Sequence, residues 1–333
     1  MISPAILVSE SSRFSPDALR LLSSLGRVEL ADIQDRGEFL AKVGGADILW
    51  VRLRHRIDAE IMEAAPRLRV IATATTGLNH IDLDEAKRRK IRVISLRDHP
   101  DFLRNIYATA EHTMALIFAL IRHVPAASRH VAEGGWNRDL FVGRELHGKR
   151  AGIVGYGRVG RMMAPRVAAF GMHVLVTDPV LEARSSQDGI EIASLETLLA
   201  TSDLVTLHVN FSEKARSFFG AHQFALMKPT AWFVNTSRGE LVDEAALLDA
   251  LRKRRIAGAA VDVLSSEDSS GMAAHPLVQY ARDHGNLLIT PHIGGCTIES
   301  TEKTENFIAG QIAAFLQSQP EEACVAGNRK DRG

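Results

Sequence analysis

The run AGIVGYGRVG, at 151–160, constrains the fold more than any other feature of this chain. An apolar segment leads into Gly155-x-Gly157-x-x-Gly160, a helix-forming stretch follows, and the next apolar run, HVLVT, ends at Asp178. Strand, glycine turn, helix, strand and acid, in that order, describe a βαβ unit built around a dinucleotide. Gly155 lets the chain turn tightly, Gly157 removes a side chain where a pyrophosphate approaches, and Gly160 lets helix and strand pack closely. The N–H groups of Arg158 and Val159 then lie at the positive end of the new helix. A carboxylate at Asp178 accepts from ribose hydroxyls and repels a 2′-phosphate, and neither Pro179 nor Val180 supplies a cation. NAD is therefore expected rather than NADP. The competing readings are a glycine turn in any doubly wound sheet, or a methyltransferase-type nucleotide site, which rarely needs all three glycines.

The same rhythm extends in both directions. Before residue 100, β-rich runs AILVS (5–9), DILWV (47–51), RVIAT (69–73) and IRVIS (91–95) alternate with helical stretches. SPDALRLLSSLG is punctuated as a helix: Ser15 caps, Pro16 and Asp17 suit the first turn, and Gly26 suits the exit. A long helix is expected over 106–124, apolar on more than one side and so buried or in contact with another subunit. A connection bearing Gly and Trp follows, at about 133–149. From Arg150 a second series reads AGIVG, HVLVT, LVTLHV, AWFVN, GAAVDV and NLLIT as strands. Its helices include LETLLATS and DEAALLDALRKR, the latter with Asp243 as cap and Glu244 in its first turn. A last helix is expected over about 298–317, with a polar tail from Ser318. Alternation of this kind gives parallel sheets with helices on both faces, an α/β chain.

With 333 residues, 46% hydrophobic and 24% charged, the chain has material for two cores. Lys+Arg and Asp+Glu each number 40, a balance that supports neither a nucleic-acid nor a membrane partner. No apolar run approaches the roughly 20 residues that span a bilayer, and the N-terminus lacks the pattern of a signal peptide. Two cysteines, Cys296 and Cys324, have no metal-site or disulfide spacing, so no metal is expected and a reducing cytoplasm is.

Three charged residues follow strand-like runs at the ends where α/β sheets bind ligands. Arg238 follows AWFVNTS, Glu267 follows GAAVDVLSS, and His292 follows NLLITP. Singly, each has a plain reading as a solvated or packed side chain. Together they suit hydride transfer to a 2-oxo acid. Arginine grips a carboxylate or polarises a carbonyl. Histidine exchanges a proton near neutrality. A glutamate beside it favours the imidazolium.

The segments TTGLNHIDLDEAKRRKI, ATAEHTMALIFALIR, GRELHGKRAGIVGYGRVGR, VNTSRGELVDEAALLDALRKRRIAGAAVDV and NLLITPHIGG, in this order, resemble the D-isomer-specific 2-hydroxyacid dehydrogenase family, phosphoglycerate dehydrogenase-like. The resemblance covers nearly the whole chain. It implies two doubly wound parallel-sheet domains, a Rossmann NAD-binding domain (101–298) inserted in a flavodoxin-like substrate-binding domain (1–100 and 299–333). It implies Arg238, Glu267 and His292 as the catalytic set, Asp262 near the nicotinamide amide, and Thr76 and Gly77 in the loop that holds the substrate carboxylate. It also implies a homodimer through the region around helix 106–124, and a small D-2-hydroxy acid or 2-oxo acid as substrate.

The chain departs from the family pattern in places. Asp268 stands where proline commonly follows the catalytic glutamate, and a longer connection, DSSGMAAHPLVQYARDHG, succeeds it. Asn210 replaces the proline usual after the LH-x run. His208 reads as packing or as a cofactor neighbour, and Cys296 as a small packed residue. Arg52 and Arg54, in VRLRHR, are candidates for substrate contact, with surface solvation as the alternative. Phosphoglycerate-, glycerate/hydroxypyruvate- and glyoxylate-type substrates all stay open, although the length is short for an appended regulatory domain. A non-catalytic NAD-sensing corepressor and phosphite or formate oxidation are alternatives on the same scaffold.

Overall fold

In the computed structural model, which describes residues 3–181, 186–187, 189–267 and 271–318, thirteen short strands form two sheets. The chain divides into two units: residues up to Asn105 joined by those from Thr297, and the continuous segment Ile106–Cys296.

In the first unit, Ala5–Val8 (β1), Arg27–Leu30 (β2), Ile48–Val51 (β3), Val70–Thr73 (β4) and Arg92–Ile94 (β5) pair in parallel in the order β2-β1-β3-β4-β5. β3 and β4 are buried at every residue, which explains why only Thr73, at the end of β4, interrupts their apolar sequences. β2, RVEL, is an exposed edge strand whose charges hide it from a hydrophobic pattern. The helix Pro16–Leu25 starts as its punctuation predicts, with the Ser15 hydroxyl accepting from the Ala18 N–H and proline in the first turn. The helix Ile298–Ser318 belongs to this unit and buries Glu305 there. Glu305 accepts from Arg52 Nη2 at 2.5 Å and from the Ser15 N–H at 2.7 Å. Burial raises its carboxyl above the ordinary range, against the lowering pull of Arg52 and Ser15.

The second unit holds Arg150–Val154 (β6), His173–Thr177 (β7), Ser186–Gln187 (β8), Ile190–Ile192 (β9), Leu204–Leu207 (β10), Trp232–Asn235 (β11), Gly258–Val261 (β12) and Leu287–Ile289 (β13). The order is β13-β12-β11-β10-β6-β7-β9-β8, parallel except for the β8–β9 pair. Alternate strand residues enter two separate cores. Val154, Leu175, Val205 and Phe233 join one, while Ile153, Val176, Leu204 and Val234 join the other. Opposite faces of the sheet are thus both covered, and each fully buried Leu, Val or Phe contributes roughly 1.5–3 kcal/mol.

The helix expected over 106–124 is shorter. It runs Ala108–Ile121, is largely buried, and ends where His123 takes a left-handed backbone, φ +54°. A second helix, Val124–Ala132, follows with no buried residue. Among the described residues no helix is long and apolar enough to cross a membrane. Asp268 and Cys324 lie outside the described residues.

Candidate active site

Every parallel strand of the second sheet ends on the same side, so the loops after β6, β7, β10, β11, β12 and β13 open together. The strand order reverses between β6 and β10, and the glycine loop leaves β6 at that point. Gly155 has φ +91°, and a Cβ there would stand 2.7 Å from the His208 carbonyl carbon. At Gly160 a Cβ would run into the Gly155 carbonyl oxygen, whereas at Gly157 it would meet nothing within 4 Å. The first and third glycines are therefore demanded by packing, and the second borders open space. Gly157 also caps the helix Arg158–Ala169 without any side-chain bond, so the first amides, Arg158 and Val159 among them, face outward uncapped. Asp178, half-buried just past β7, accepts from the Tyr156 N–H at 2.8 Å and the Val180 N–H at 3.1 Å, which ties it to the glycine loop.

These residues fit a dinucleotide. The uncapped amides suit a pyrophosphate, Gly157 leaves room for it, and Asp178 presents a carboxylate beside it. The Arg158 side chain is turned elsewhere: its Nη1 donates to the Ile106 carbonyl at 3.0 Å, and burial lowers its pKa. His208 is buried, and its Nε2 has no partner among the described residues. Burial, with the Arg158 charge nearby, pushes its imidazole down to about 3, so it stays neutral.

Arg238, Glu267 and His292 follow three neighbouring strands, β11, β12 and β13. His292 Nδ1 lies 2.7 Å from Glu267 Oε2. Glu267 Oε1 accepts from the Leu264 N–H at 3.3 Å. Arg238 is desolvated, which lowers its pKa, while the charges of Glu240 and Glu267 act in the opposite direction. Its turn is knitted by Asn235, whose amide donates to the Arg238 carbonyl at 3.0 Å and accepts from the Ser237 N–H at 2.9 Å. At Gly239 a Cβ would collide with the Leu264 backbone, so the arginine turn lies directly on the glutamate turn.

His292 has φ +53°, uncommon outside glycine. Asp262 holds it there. The Asp262 carbonyl accepts the His292 N–H at 2.8 Å, and its carboxylate accepts the N–H groups of Ile293 at 2.9 Å and Gly294 at 2.7 Å. Thr290 Oγ1 donates to the same carboxylate at 2.6 Å, and His112 Nε2 stands 3.2 Å away. Burial raises the Asp262 pKa, but these hydrogen bonds outweigh it and the carboxyl stays low. His112 and Thr290 escaped the sequence reading. His112 is one of four polar residues near the start of its helix, beside Thr109, Glu111 and Thr113, and Thr290 stands at a strand end, so neither is singled out locally.

The other expected residues lie in the first unit. Thr76 and Gly77 follow β4, where Thr75 Oγ1 donates to the Gly77 carbonyl at 2.9 Å. Arg52 is paired with Glu305 and donates to the Ser12 carbonyl at 2.8 Å, while Arg54 pairs with Asp32 at 2.9 Å. Among the described residues no cluster of three His, Cys, Asp or Glu side chains is arranged to hold a metal.

Comparison with known proteins gives three kinds of likeness. A family model described as D-isomer specific 2-hydroxyacid dehydrogenase, NAD binding domain, matches residues 114–294. The chain is 35% identical over 330 residues to a D-3-phosphoglycerate dehydrogenase of Mycobacterium bovis, covering 98% of this chain. It spans only 60% of the length of that relative. A glyoxylate reductase of Pyrococcus furiosus is 37% identical over 292 residues, with 85% of this chain and 83% of that protein covered. The solved D-lactate dehydrogenase of Aquifex aeolicus, complexed with NAD and lactic acid, superposes with a TM-score of 0.79 at 26% identity, covering 94% of this chain and 95% of that one.

Proposed function

This chain belongs to the D-isomer specific 2-hydroxyacid dehydrogenase family, and on that footing we propose that it interconverts a small D-2-hydroxy acid and its 2-oxo acid with NAD(H). The observation that carries the reading is the 2.7 Å contact between His292 Nδ1 and Glu267 Oε2, beside a desolvated Arg238 on the neighbouring strand end.

When bound, NAD(H) would supply or accept the hydride. Glycines 155, 157 and 160 with the amides of Arg158 and Val159 would hold its phosphates and Asp178 its ribose, and Asp262 is the candidate for its amide end. Asp178 disfavours a 2′-phosphate by charge, so NAD is preferred over NADP. Arg238 binds the 2-oxo acid through its carboxylate and carbonyl, and its desolvated guanidinium is all the stronger for being shielded from water. Engaging Nδ1 with Glu267 leaves Nε2 as the ring atom that meets the substrate oxygen. During reduction His292 gives its proton to that oxygen, and during oxidation it takes the proton back, while Glu267 offsets the imidazolium charge. Thr76 and Gly77 are the candidates for holding the substrate carboxylate by backbone N–H groups.

Phosphoglycerate-, glycerate/hydroxypyruvate- and glyoxylate-type acids are the substrate candidates, in keeping with the relatives' names. The ion pairs of Arg52 and Arg54 favour a structural role for both over substrate contact. A homodimer is supported by the exposed apolar residues that follow the buried helix, Trp136 at 90% and Val142 at 77% exposure. A cytoplasmic setting accords with the NAD requirement. The test is NADH oxidation against a panel of 2-oxo acids, with NADPH in parallel and with phosphite and formate assayed in the oxidative direction. Tight NADH binding with no turnover of any 2-oxo acid would sink the reading, and a preference for NADPH would overturn the role of Asp178.

A further inference from the structure

Glu267 must stay within hydrogen-bond reach of His292, yet its turn lacks the proline that commonly stiffens it. Something else has to hold it. The helix Glu244–Arg252 already has its cap, since Asp243 Oδ1 accepts the Ala246 N–H at 3.0 Å. An acid in the first turn is ordinarily explained by the helix dipole. Glu244 goes further, because its carboxylate reaches across to the segment that carries Glu267. Oε1 accepts the Ser265 N–H at 2.6 Å, Oε2 accepts the Ser265 hydroxyl at 2.7 Å, and His275 Nε2 lies 3.2 Å from Oε2. The Glu244 and His275 side chains are 17% and 14% exposed, so this is a largely sheltered junction and not a surface pair. One carboxylate thereby ties Ser265, just before Glu267, to His275, well after it.

We propose that Glu244, braced by His275, is a positioning residue that holds Glu267 against His292. The inference rests on the dehydrogenase reading above. Glu244 acts at a distance from the reacting atoms. It fixes the backbone at Ser265, and Gly239 packs closely against the same Leu264–Ser265 backbone. A partner held in one place costs no reorganisation as charge develops on the imidazole.

The test is a double-mutant cycle on the full chain. Glu244→Ala, Glu244→Gln and Ser265→Ala are made in the wild type and in a Glu267→Gln background, and kcat, KM and the NADH dissociation constant are measured for each. Glu244→Ala is expected to lower kcat by roughly 10- to 100-fold, the scale of a small misplacement, with NADH affinity unchanged. Glu244→Gln keeps an acceptor for the Ser265 N–H and recovers most of kcat. Ser265→Ala lowers kcat by a smaller factor and carries the comparison alone if Glu244→Ala does not fold. In the Glu267→Gln background neither alanine variant lowers kcat further, because the residue they act through has lost its charge. An equal loss in both backgrounds overturns the proposal, as does an unchanged kcat in the folded alanine variants. The His292 ring resonances give a reading that does not need turnover. They should move in Ser265→Ala and Glu244→Ala toward their positions in Glu267→Gln, and unmoved resonances reject the positioning role. Absence of turnover in the wild type with every 2-oxo acid strikes the dehydrogenase reading instead.

Discussion

At φ +53°, His292 occupies a backbone conformation that costs a non-glycine residue about 1 kcal/mol or more. Three consecutive amides, those of His292, Ile293 and Gly294, bond to Asp262 and hold it there. Backbone and ring are thus held separately: Asp262 holds the turn that carries the ring, and Glu267 contacts the ring at Nδ1. Replacing His292 by alanine should lower kcat by about 10²- to 10⁴-fold and leave NADH affinity intact, as steady-state kinetics and fluorescence titration would show. Unchanged kcat would remove His292 from proton transfer. The residues that were legible in the sequence, Arg238, Glu267 and His292, each follow an apolar run and so announce a strand end. His112 and Asp262 are 150 positions apart, and Glu244 and Ser265 are 21 apart. No local pattern advertises such pairs, since they exist only after the sheet has brought β12 beside its neighbours.

Among elements, strands with an apolar run declared themselves, the edge strands β5 and β13 included, while β2, β8 and β9 did not. β3 is apolar throughout and β4 apolar up to Thr73 because both faces are covered, whereas charged or polar residues interrupt β2, RVEL, and the short pair β8, SQ, and β9, IEI. The helix expected over 106–124 stops at Ile121, where the apolar run gives way to Arg122 and His123, and the left-handed turn at His123 has no glycine to mark it. Contact between elements also explains Gly239, which no turn signal singles out. Gly239→Ala should destabilise the chain by at least about 1–3 kcal/mol, seen as a lower urea midpoint, because the obstacle is the Leu264 backbone. At the end of β10, His208 is neutral in the folded state, with a pKa of about 3 against 6.5 for an ordinary histidine. The unfolded chain therefore binds this proton first. Stability from this group is present above pH 6.5 and is lost as pH falls from there toward 3. Urea unfolding between pH 7.5 and 5 should show that decline in the wild type and a shallower one in His208→Gln; equal slopes would contradict it.

For the molecule as a whole, the two units keep separate cores. The apolar cluster of the first unit runs from Leu7 to Ile91, and both clusters of the second lie between Ala110 and Leu287. In the first unit, Arg52→Met leaves Glu305 buried without its cation. The cost should fall near the lower end of the roughly 3–5 kcal/mol typical of a broken buried pair, since Arg52 is 28% exposed. Calorimetry would register it as a lower unfolding temperature, and a rise in KM with stability unchanged would instead return Arg52 to substrate contact. In the second unit, Trp136, Leu140 and Val142 expose apolar surface at 90%, 62% and 77%. Trp136→Glu should shift the chain from dimer to monomer in sedimentation experiments, and a wild type that sediments as a monomer would refute the dimer.

The way the chain is divided has a genetic corollary. Ile106–Cys296 is one uninterrupted stretch and carries the glycine loop, Asp178, Arg238, Glu267 and His292 together. A single exon-like cassette cut at those two points encodes all of them, whereas the remaining unit can be isolated only by fusing two distant pieces of coding sequence. Recombination can therefore exchange that stretch as one block, while the other unit must be replaced in two pieces.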